Sequence, residues 1–404
     1  MKVKTQLSVD QYIAKPVAYL LNFLVRLVGQ LLSIDHSLDR DFERIAVCKF
    51  KGMGSILQST PMLHAIKRRF PEAELIYVST QGNRQILEQI DWVDTVVTVD
   101  DRSLWAFVRT NLQALWLLMR KRPQVYFDLE IYADYSTLFT LFTLSINRVG
   151  FYLRSSSFRM GIYTHMMFFN PRVPISQVYL QLAKLIGGDA EGAQLYPLRG
   201  QEALPFPADT PYLVINPNAS DLRLERRWGK ARFATLITHI LEAVENLNIV
   251  LVGSKSEYDY TQAVAEAVGH PRVINTAGQT SLNGLISIID QATAMVSNDT
   301  GPMHVAFCTN TPVVCLFGPC SPQQYGTSPY AHIMYKPVFC SPCVHDFEVP
   351  PCKGDNVCMQ LITVEEVVQQ TLAVLADPAK VADSPRPAFV YAVGEKVLGK
   401  VYRE

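Results

Sequence analysis

The sequence has little net charge, few charged residues and few candidates for disulfide bonds. Lys plus Arg and Asp plus Glu number 37 each in 404 residues, so no bulk electrostatic field favours binding to nucleic acid. Charged residues make up 18% of the chain and apolar residues 49%, which excludes a disordered, highly charged protein. The eight cysteines are not arranged as in a disulfide-rich secreted domain, so we expect a reducing compartment. The length favours two domains, with three as the alternative, at about 150 residues each.

The N-terminal region contains one strongly apolar stretch, residues 17–34. It lacks a basic leader followed by a small-residue cleavage site, so we do not expect a signal peptide. Asn22, Arg26, Gln30 and Ser33 recur every three or four positions, which places them on one face of a helix. A charge in mid-span argues against a simple transmembrane segment. We therefore expect an amphipathic helix in a membrane interface; the alternative is a helix packed on its own protein or on a partner.

The rest of the chain alternates strand-like and helical patterns. Continuous apolar runs predict strands at 45–50, 75–80, 95–100 and 125–130, and again at 212–217, 248–253, 294–299 and 312–318. A segment rich in Pro and Gly follows Leu195 and reads as a linker. Apolar strands separated by helices indicate an α/β protein with two doubly wound parallel sheets facing a cleft. The predicted divisions are 1–43 (N-terminal helix and lead-in), 44–200 and 201–377 (the two domains) and 378–404 (a tail).

The turn after the predicted strand at 294–299 carries the strongest chemical signal. Asp299, Thr300 and Gly301 turn the chain into a helix, and Pro302 suits the first turn of that helix. Free amides at the start of a helix bind phosphate, assisted by the helix dipole. Asp299 can accept hydrogen bonds from sugar hydroxyls, and His304 follows about one helical turn later. The alternative is that Asp299 only caps the helix.

Four segments resemble glycosyltransferase family 9, the bacterial heptosyltransferase-like enzymes. The most specific is VSNDTGPMHVAFCTNTPVVCLFGPCSP (296–322), and the others are 49–79, 216–236 and 251–260. The resemblance implies a GT-B fold of two Rossmann-like domains, with an N-terminal domain for the acceptor and a C-terminal domain for the nucleotide-sugar donor. It also implies inversion of configuration and no metal requirement.

The resemblance implies a donor site in the second domain. Its donor-binding residues would be Asn216, Arg226, Arg227, Gly253, Glu257, Asp299, Thr300, Gly301 and His304. Arg226 replaces the family's usual lysine, keeps the positive charge and adds bidentate binding of phosphate. Arg227 either shares this role or lies in a solvated loop. Glu257 either contacts the ribose hydroxyls or stands as an exposed residue at a helix start.

The catalytic base is the point at which this chain departs from the family. Inverting transfer needs a carboxylate that takes the proton of the acceptor hydroxyl. Heptosyltransferases have Asp directly after the Met-Gly of the glycine loop, where this chain has Ser55. Either activity is lost or the base has moved to the end of the fourth predicted strand. We predict Glu130 as the base, with Asp128 and Asp134 as alternatives. Against this, Glu130 could instead pair with Arg148 or Arg154.

The glycine loop itself, Gly52-Met53-Gly54, has two interpretations. A nicotinamide-cofactor fingerprint would need a third glycine where Leu57 stands, so that interpretation is weak. In the transferase interpretation, Gly52, Gly54 and Ser55 form an acceptor-side loop in which the backbone approaches a phosphate.

The cysteines near the C-terminus form a separate group. They are Cys340, Cys343, Cys352 and Cys358. The first two have the Cys-x-x-Cys spacing of a four-thiolate zinc site, whereas the last two are separated by five residues rather than two. A structural zinc ion, disulfides and free thiols all remain open, and no cofactor is expected for catalysis.

These observations predict a glycosyltransferase that moves a sugar, with heptose as one candidate, from a nucleotide diphosphate donor to a lipid-linked, lipopolysaccharide or other surface-polysaccharide acceptor. We expect it to be cytoplasmic and peripheral on the inner face of the plasma membrane, with the membrane surface but no nucleic acid as a partner. The alternative is a catalytically inactive relative that binds a nucleotide-sugar or glycan as an assembly module, with Ser55 as its main support.

Overall fold

A computed structural model describes residues 12–13, 15–153, 159–207, 209–219, 223–345, 350 and 352–379. Almost all of the predicted tail, 378–404, therefore lies outside the described residues. Twelve strands are found in the described part. The first six are β1 (Arg44–Cys48), β2 (Glu74–Thr80), β3 (Thr95–Val99), β4 (Val125–Asp128), β5 (Asn147–Tyr152) and β6 (His165–Phe168). The others are β7 (Tyr212–Asn216), β8 (Asn248–Leu251), β9 (Val273–Asn275), β10 (Ala294–Asn298), β11 (Val313–Phe317) and β12 (Ala331–Tyr335).

The strands form two six-stranded sheets with the same topology. The first has the order β3-β2-β1-β4-β5-β6 and the second has β9-β8-β7-β10-β11-β12, and the strands pair in parallel throughout. Both sheets therefore have the Rossmann strand order, which reverses direction between its first and fourth strands. In the first sheet this switch point lies between β1 and β4, and in the second it lies between β7 and β10. Ligands of such sheets bind beyond the carboxyl ends of the strands at that point.

Helices connect the strands and cover both faces of each sheet. Those that precede or belong to the first sheet are α1 (Lys15–Leu32), α2 (Met53–Arg69), α3 (Arg84–Leu87), α4 (Leu104–Lys121), α5 (Tyr135–Phe142) and α6 (Ile175–Lys184). The second sheet is covered by α7 (Lys230–Ala243), α8 (Tyr258–Val268), α9 (Leu282–Asp290), α10 (Gly301–Thr309), α11 (Pro322–Tyr325), α12 (Val357–Gln360) and α13 (Val364–Ala376).

The two faces of the first sheet are buried against different helices. On one face, Ile45 and Val47 of β1 pack with α2 and α6, in a core that continues into α10 of the second domain. On the other face, Ala46 and Cys48 pack with residues of α4 and α5. Burial of both faces explains why the strands read as continuous apolar runs.

Helix α1 packs on α5 through its small and polar residues. Ala18 is fully buried and clusters with Ile162, and Arg26 donates a hydrogen bond to the carbonyl oxygen of Met160 over 2.8 Å. A side chain at Gly161 would overlap Asn22 and Arg26, so glycine permits this close approach. Asn22 and Arg26 of the predicted polar face therefore contact the protein, whereas Gln30 and Ser33 are exposed, and most of the apolar side chains face outward. Across the described ranges, the structure contains no helix whose length and hydrophobicity would suffice for a bilayer crossing.

The predicted doubly wound α/β architecture is confirmed. All eight strands predicted from the sequence are present, with ends that differ by one or two residues. Four strands were not predicted: β5, β6, β9 and β12. The predicted domain boundary at 200/201 lies between the two sheets but stays a prediction.

Candidate active site

The ends of β7 and β10 form a polar layer at the switch point of the second sheet. Asn216, the last residue of β7, donates hydrogen bonds from Nδ2 to Thr300 Oγ1 (2.7 Å) and to Ser297 Oγ (3.0 Å). Asn298, the last residue of β10, donates in the opposite direction to the carbonyl oxygens of Pro217 (2.9 Å) and Asn218 (3.0 Å). These reciprocal bonds fix the loops after the two strands relative to each other. The predicted residues Asn216 and Thr300 are thereby brought together.

Asp299 and Arg226 form an ion pair at this switch point. Arg226 Nη1 lies 3.5 Å from Asp299 Oδ2 and donates a hydrogen bond to the carbonyl oxygen of Asp299 over 3.2 Å. Asp299 is 3% exposed, yet within the described residues its Oδ2 accepts no hydrogen bond. Burial lowers the pKa of Arg226, but the stronger combined effect of Asp299 and other neighbours raises it above the ordinary value. The site thus holds a permanent positive charge beside a carboxylate with spare hydrogen-bonding capacity.

Helix α10 begins directly after this carboxylate. Thr300 is its N-cap residue and its side chain makes no capping bond to the helix, while Pro302 occupies the first turn. The amides at the start of a helix have no partner within that helix and carry the positive end of its dipole. A Cβ at Gly301 would lie 2.6 Å from Met53 Cε, so the turn also contacts the start of α2 in the first domain. The geometry fits a phosphate-binding turn at the domain cleft.

His304 packs against the first domain, and its role in donor binding stays a prediction. Its Nδ1 lies 3.1 Å from Gln58 Nε2, and a Cβ at Gly54 would overlap the imidazole ring. Burial lowers the pKa of His304 to about 4, so the ring is neutral at pH 7. Gly54 therefore permits the close contact between α2 and α10, and the predicted approach of its backbone to a phosphate stays a prediction.

Three other predicted donor residues lie at the edge of this site. Glu257 Oε2 accepts hydrogen bonds from the amide and hydroxyl of Ser254, both over 2.8 Å, in a capping box. The Arg227 guanidinium lies 4.1 Å from the centre of the Tyr260 ring. A Cβ at Gly253 would lie 2.6 Å from Asn218 Nδ2. The contacts of Glu257 thus match the helix-start alternative, and the absence of a side chain at Gly253 leaves room for Asn218. Donor binding by these three residues stays a prediction.

The switch point of the first sheet holds a second buried acid–base pair. Lys49, just after β1, lies with Nζ 2.7 Å from Glu130 Oε2. Glu130 Oε1 accepts hydrogen bonds from the amides of Phe50 (2.8 Å) and Lys51 (3.0 Å). Both carboxylate oxygens are therefore bonded. The suggested pairing with Arg148 is not found, because that guanidinium donates to the carbonyl oxygens of Ser145 and Ile162; Arg154 lies outside the described residues.

The carboxylates of this switch point differ in the direction of their pKa shifts. Burial alone would raise the pKa of Glu130, but the ion pair with Lys49 and the two amide donors together lower it below the ordinary value. For Asp128, burial dominates and raises the pKa, although Tyr163 donates a 2.5 Å hydrogen bond to it. Asp128 is fully buried, and Asp134 is partly buried immediately before α5.

Gly52 ends the loop held by Glu130, and Ser55 lies in the first turn of α2. The Ser55 side chain hydrogen-bonds to Tyr179 of α6. Gly52 has a φ of 88°, a left-handed conformation that favours glycine at the start of α2. The sequence did not single out Lys49, although its position directly before this loop and after a buried strand was a usable signal.

Aromatic side chains connect the two domains across the cleft. The rings of Tyr132 and His345 stack at 5.0 Å with an interplanar angle of 6°, and His345 Nε2 lies 3.2 Å from the Tyr325 hydroxyl. Lys49 of the first domain and Arg226 of the second both act electrostatically on His345. The two switch points therefore face one shared cleft. Tyr132, Tyr325 and His345 were not predicted from the sequence, since their proximity depends on how the domains pack.

The four cysteines near the C-terminus are free thiols. Cys343 and Cys358 are buried and Cys340 and Cys352 are partly exposed. Within the described residues, no group of three or more Cys, His, Asp or Glu side chains is placed to hold a metal ion. A structural zinc site at these cysteines is thus not supported.

Two Rossmann-type sheets whose switch points face one cleft define the GT-B class of fold. Residues 189–349 match the model of glycosyltransferase family 9 (heptosyltransferase). These findings confirm the predicted GT-B fold, and they show that residues 189–349 are similar to glycosyltransferase family 9.

The similar proteins include relatives that match over different lengths. Lipooligosaccharide heptosyltransferase 2 of Haemophilus influenzae is 32% identical over 101 residues, which are 24% of this chain and 29% of the relative. The chain thus matches about three tenths of the length of this relative. Lipopolysaccharide heptosyltransferase 3 of Escherichia coli is 22% identical over 66% of this chain and 80% of the relative. The solved structure of E. coli ADP-heptose lps heptosyltransferase II has a TM-score of 0.67 and 20% identity, covering 83% of this chain and 99% of that one.

Proposed function

We propose that this protein is an inverting, metal-independent glycosyltransferase that transfers a heptose from a nucleotide diphosphate donor to a lipid-linked, lipopolysaccharide or other surface-polysaccharide acceptor. The observation that carries the proposal is the turn of Asp299, Thr300 and Gly301 beside Arg226 at the switch point of the second sheet. The names of the similar proteins support heptose as the sugar and lipopolysaccharide as the acceptor class, and the E. coli structure supports ADP as the nucleotide.

The donor diphosphate would bind at the start of α10. The first amides of that helix, its dipole and the Arg226 guanidinium all place positive charge at one point. Negative charge develops on the diphosphate as the bond to the sugar breaks, so these groups stabilise the leaving group without a metal ion. Asp299 Oδ2, which accepts no hydrogen bond from the described residues, would accept one from a sugar hydroxyl.

The acceptor would enter from the first domain, opposite the donor. In a single displacement, the acceptor oxygen forms a bond to the anomeric carbon while the bond to the diphosphate breaks, and a carboxylate takes the hydroxyl proton. Glu130 is our candidate for this base, because it lies beyond β4 at the switch point and its lowered pKa keeps it ionised. Its bonds to Lys49, Phe50 and Lys51 equally suit a positioning role for the glycine loop. Asp128 and Asp134 remain the alternatives.

The outward apolar face of α1 would place the enzyme at the membrane that carries its acceptor. Leu20, Phe23 and Leu31 are each at least 65% exposed. A helix with one polar and one apolar face lies in the plane of the interface, with the apolar side in the acyl boundary. The protein would then be peripheral on the inner face of the cytoplasmic membrane.

A screen of ADP-, GDP-, UDP- and dTDP-sugars tests the proposal on purified protein. Selective binding of one donor, with slow hydrolysis to the nucleotide diphosphate, is the expected result. Absence of binding to every donor would overturn the assignment of the site at Asp299. Glu130→Gln separates the roles of Glu130: loss of transfer with retained donor binding is expected of a base, and full activity would exclude it.

A catalytically inactive relative that binds a nucleotide-sugar or glycan as an assembly module is a second candidate. The observation that favours it is the first switch point, where both oxygens of Glu130 are bonded and Ser55 replaces the family's aspartate. Donor binding without hydrolysis, and without transfer to any lipopolysaccharide core acceptor, would support it.

A further inference from the structure

Helix α4 exposes an apolar stripe that the proposed function does not use. Its members are Leu104, Trp105, Val108, Leu112, Trp116 and Met119, each more than a third exposed. From Trp105 to Met119 the members recur every three or four positions, so they share one helical face. Ala114 and Leu118, on the opposite side of the helix, are buried on the sheet. A helix on a soluble domain normally presents polar residues where this stripe lies.

This stripe lies on the same side of the first domain as α1. Ala114 and Leu118 of α4 share a core cluster with Phe139 of α5, on the sheet face opposite α2. The ring of Phe107 in α4 lies 5.2 Å from that of Tyr135 in α5. Helix α1 packs in turn on α5. The three helices therefore form one row, and exposed apolar residues occur along the whole of it.

Basic residues border the stripe on one side. Arg109 and Arg120 are exposed, and their spacing of eleven residues, three helical turns, aligns them along the same edge. The Arg120 guanidinium lies 4.6 Å from the centre of the Trp116 ring. Helix α4 contains no acidic residue. Tryptophan with arginine beside apolar side chains is the composition found at membrane interfaces, and basic residues near the surface are attracted to anionic lipid.

We propose that α4 is a second membrane-binding element, which inserts Trp105, Leu112 and Trp116 into the interface of an anionic bilayer beside α1. The inference extends the membrane contact of the proposed function and rests on it. A two-fold contact between copies of the chain is less compatible with this face, because it would bring the basic edges of the two helices together. Two contacts on one side of the first domain would also hold that domain in one orientation on the lipid surface.

Vesicle binding by charged variants tests the proposal. Leu112→Asp in α4 and Leu24→Asp in α1 each place a charge on an exposed apolar position, and Phe339→Asp does the same on the second domain. Sedimentation with vesicles of phosphatidylcholine and phosphatidylglycerol should show at least tenfold weaker partitioning for the first two variants. The partitioning of Phe339→Asp should equal that of the unmodified protein. Unchanged thermal unfolding of all three variants shows that folding is not the cause.

Tryptophan fluorescence provides a second, direct measurement. Trp105 and Trp116 are strongly exposed, whereas Trp92 is partly buried and Trp228 is buried. Lipids brominated in the acyl chain should quench the emission on vesicle binding, and Trp105→Phe with Trp116→Phe should abolish the quenching.

The role of α4 would be overturned, and that of α1 left intact, by three results together. Leu112→Asp would partition normally, Leu24→Asp would not bind, and the tryptophan emission of the unmodified protein would not be quenched. A change of Leu112→Asp from dimer to monomer, with vesicle binding unchanged, would overturn it in favour of an interface between copies. Failure of the unmodified protein to bind anionic vesicles would overturn both membrane contacts. None of these results depends on sugar transfer, which is measured separately with a soluble acceptor.

Discussion

The two switch points of the molecule have the same topology and the same kind of ion pair but different hydrogen bonding. In the first domain, Glu130 is bonded at both oxygens, to Lys49 at 2.7 Å and to two backbone amides. In the second domain, Asp299 lies 3.5 Å from Arg226 and its Oδ2 accepts no hydrogen bond within the described residues. One pair is complete by itself, while the other keeps a buried acceptor for a ligand. Strand order therefore locates both candidate sites, and the unused acceptor at Asp299 favours the second one as the site that binds a ligand.

The largest effect is expected at the ion pair of Arg226 and Asp299, where, among the described residues, one carboxylate oxygen is free to accept a hydrogen bond from a ligand. Arg226→Ala removes the positive charge that would face the diphosphate and leaves Asp299 buried without its partner. We expect donor affinity to fall about a hundredfold or more and the free energy of unfolding to fall by about 3 kcal/mol. Calorimetric titration with ADP and urea unfolding measure the two quantities. Arg227→Ala is the matched control, since that guanidinium stacks on Tyr260, and it should change affinity by less than about threefold. Equal effects of both variants would contradict the assignment.

The contact between the domains gives the next effect. Gly54→Ala adds a Cβ that overlaps His304, so we expect the free energy of unfolding to fall by about 1–3 kcal/mol. Gly82→Ala is the control, because nothing lies within 4 Å of a Cβ at that position. Adding His304→Ala to Gly54→Ala should restore part of the loss. Additive effects in the double variant would show that the two residues do not meet.

The ion pair of Lys49 and Glu130 should make the free energy of unfolding depend on pH. The pKa of Glu130 is lower in the folded protein than its ordinary value of 4.5. A carboxylate shifted in this direction contributes stability above its pKa in the unfolded chain, and that contribution is lost as the pH falls through the lower folded value. Urea unfolding between pH 6 and pH 3 should therefore show a larger loss of stability for the unmodified protein than for Glu130→Gln. Parallel losses would mean that Glu130 is not stabilised as a carboxylate.

The smallest effect is expected at the edge of the donor site. Glu257 is engaged by Ser254 in a capping box, and glutamine keeps an acceptor for it. Glu257→Gln should therefore change ADP affinity by less than about twofold. A tenfold loss would instead indicate that the carboxylate binds ribose, as the family resemblance implied.

Much of the fold could be predicted from the sequence because it depends on local patterns. Continuous apolar runs located β1, β4, β7 and β10, whose ends form both switch points. Three of the four missed strands, β6, β9 and β12, are short or partly exposed. Strand β9 has three residues, none of them fully buried, and β6 has no fully buried residue either. Over three to five residues, neither an alternation of apolar and polar side chains nor a continuous apolar run is a strong enough signal to predict a strand.

The parts of the site that the sequence did not predict depend on distant contacts. Lys49 and Glu130 are separated by 81 residues, and they meet only because β1 and β4 are neighbours. His304 and Gly54 meet only when the two domains pack together. The stripe on α4 has the spacing of an ordinary core-facing helix, and the sequence could not show that it is exposed. Pairing and exposure are properties of the assembled chain.

The most direct measurement compares the two carboxylates in one titration. Asp299→Asn and Glu130→Gln each replace one buried carboxylate by an amide of similar size, and both are titrated with the ADP-heptose donor by calorimetry. We expect at least tenfold weaker binding for Asp299→Asn and an affinity within about twofold of the unmodified protein for Glu130→Gln. Weaker binding for Glu130→Gln with unchanged binding for Asp299→Asn would contradict it, because the donor site would then lie in the first domain.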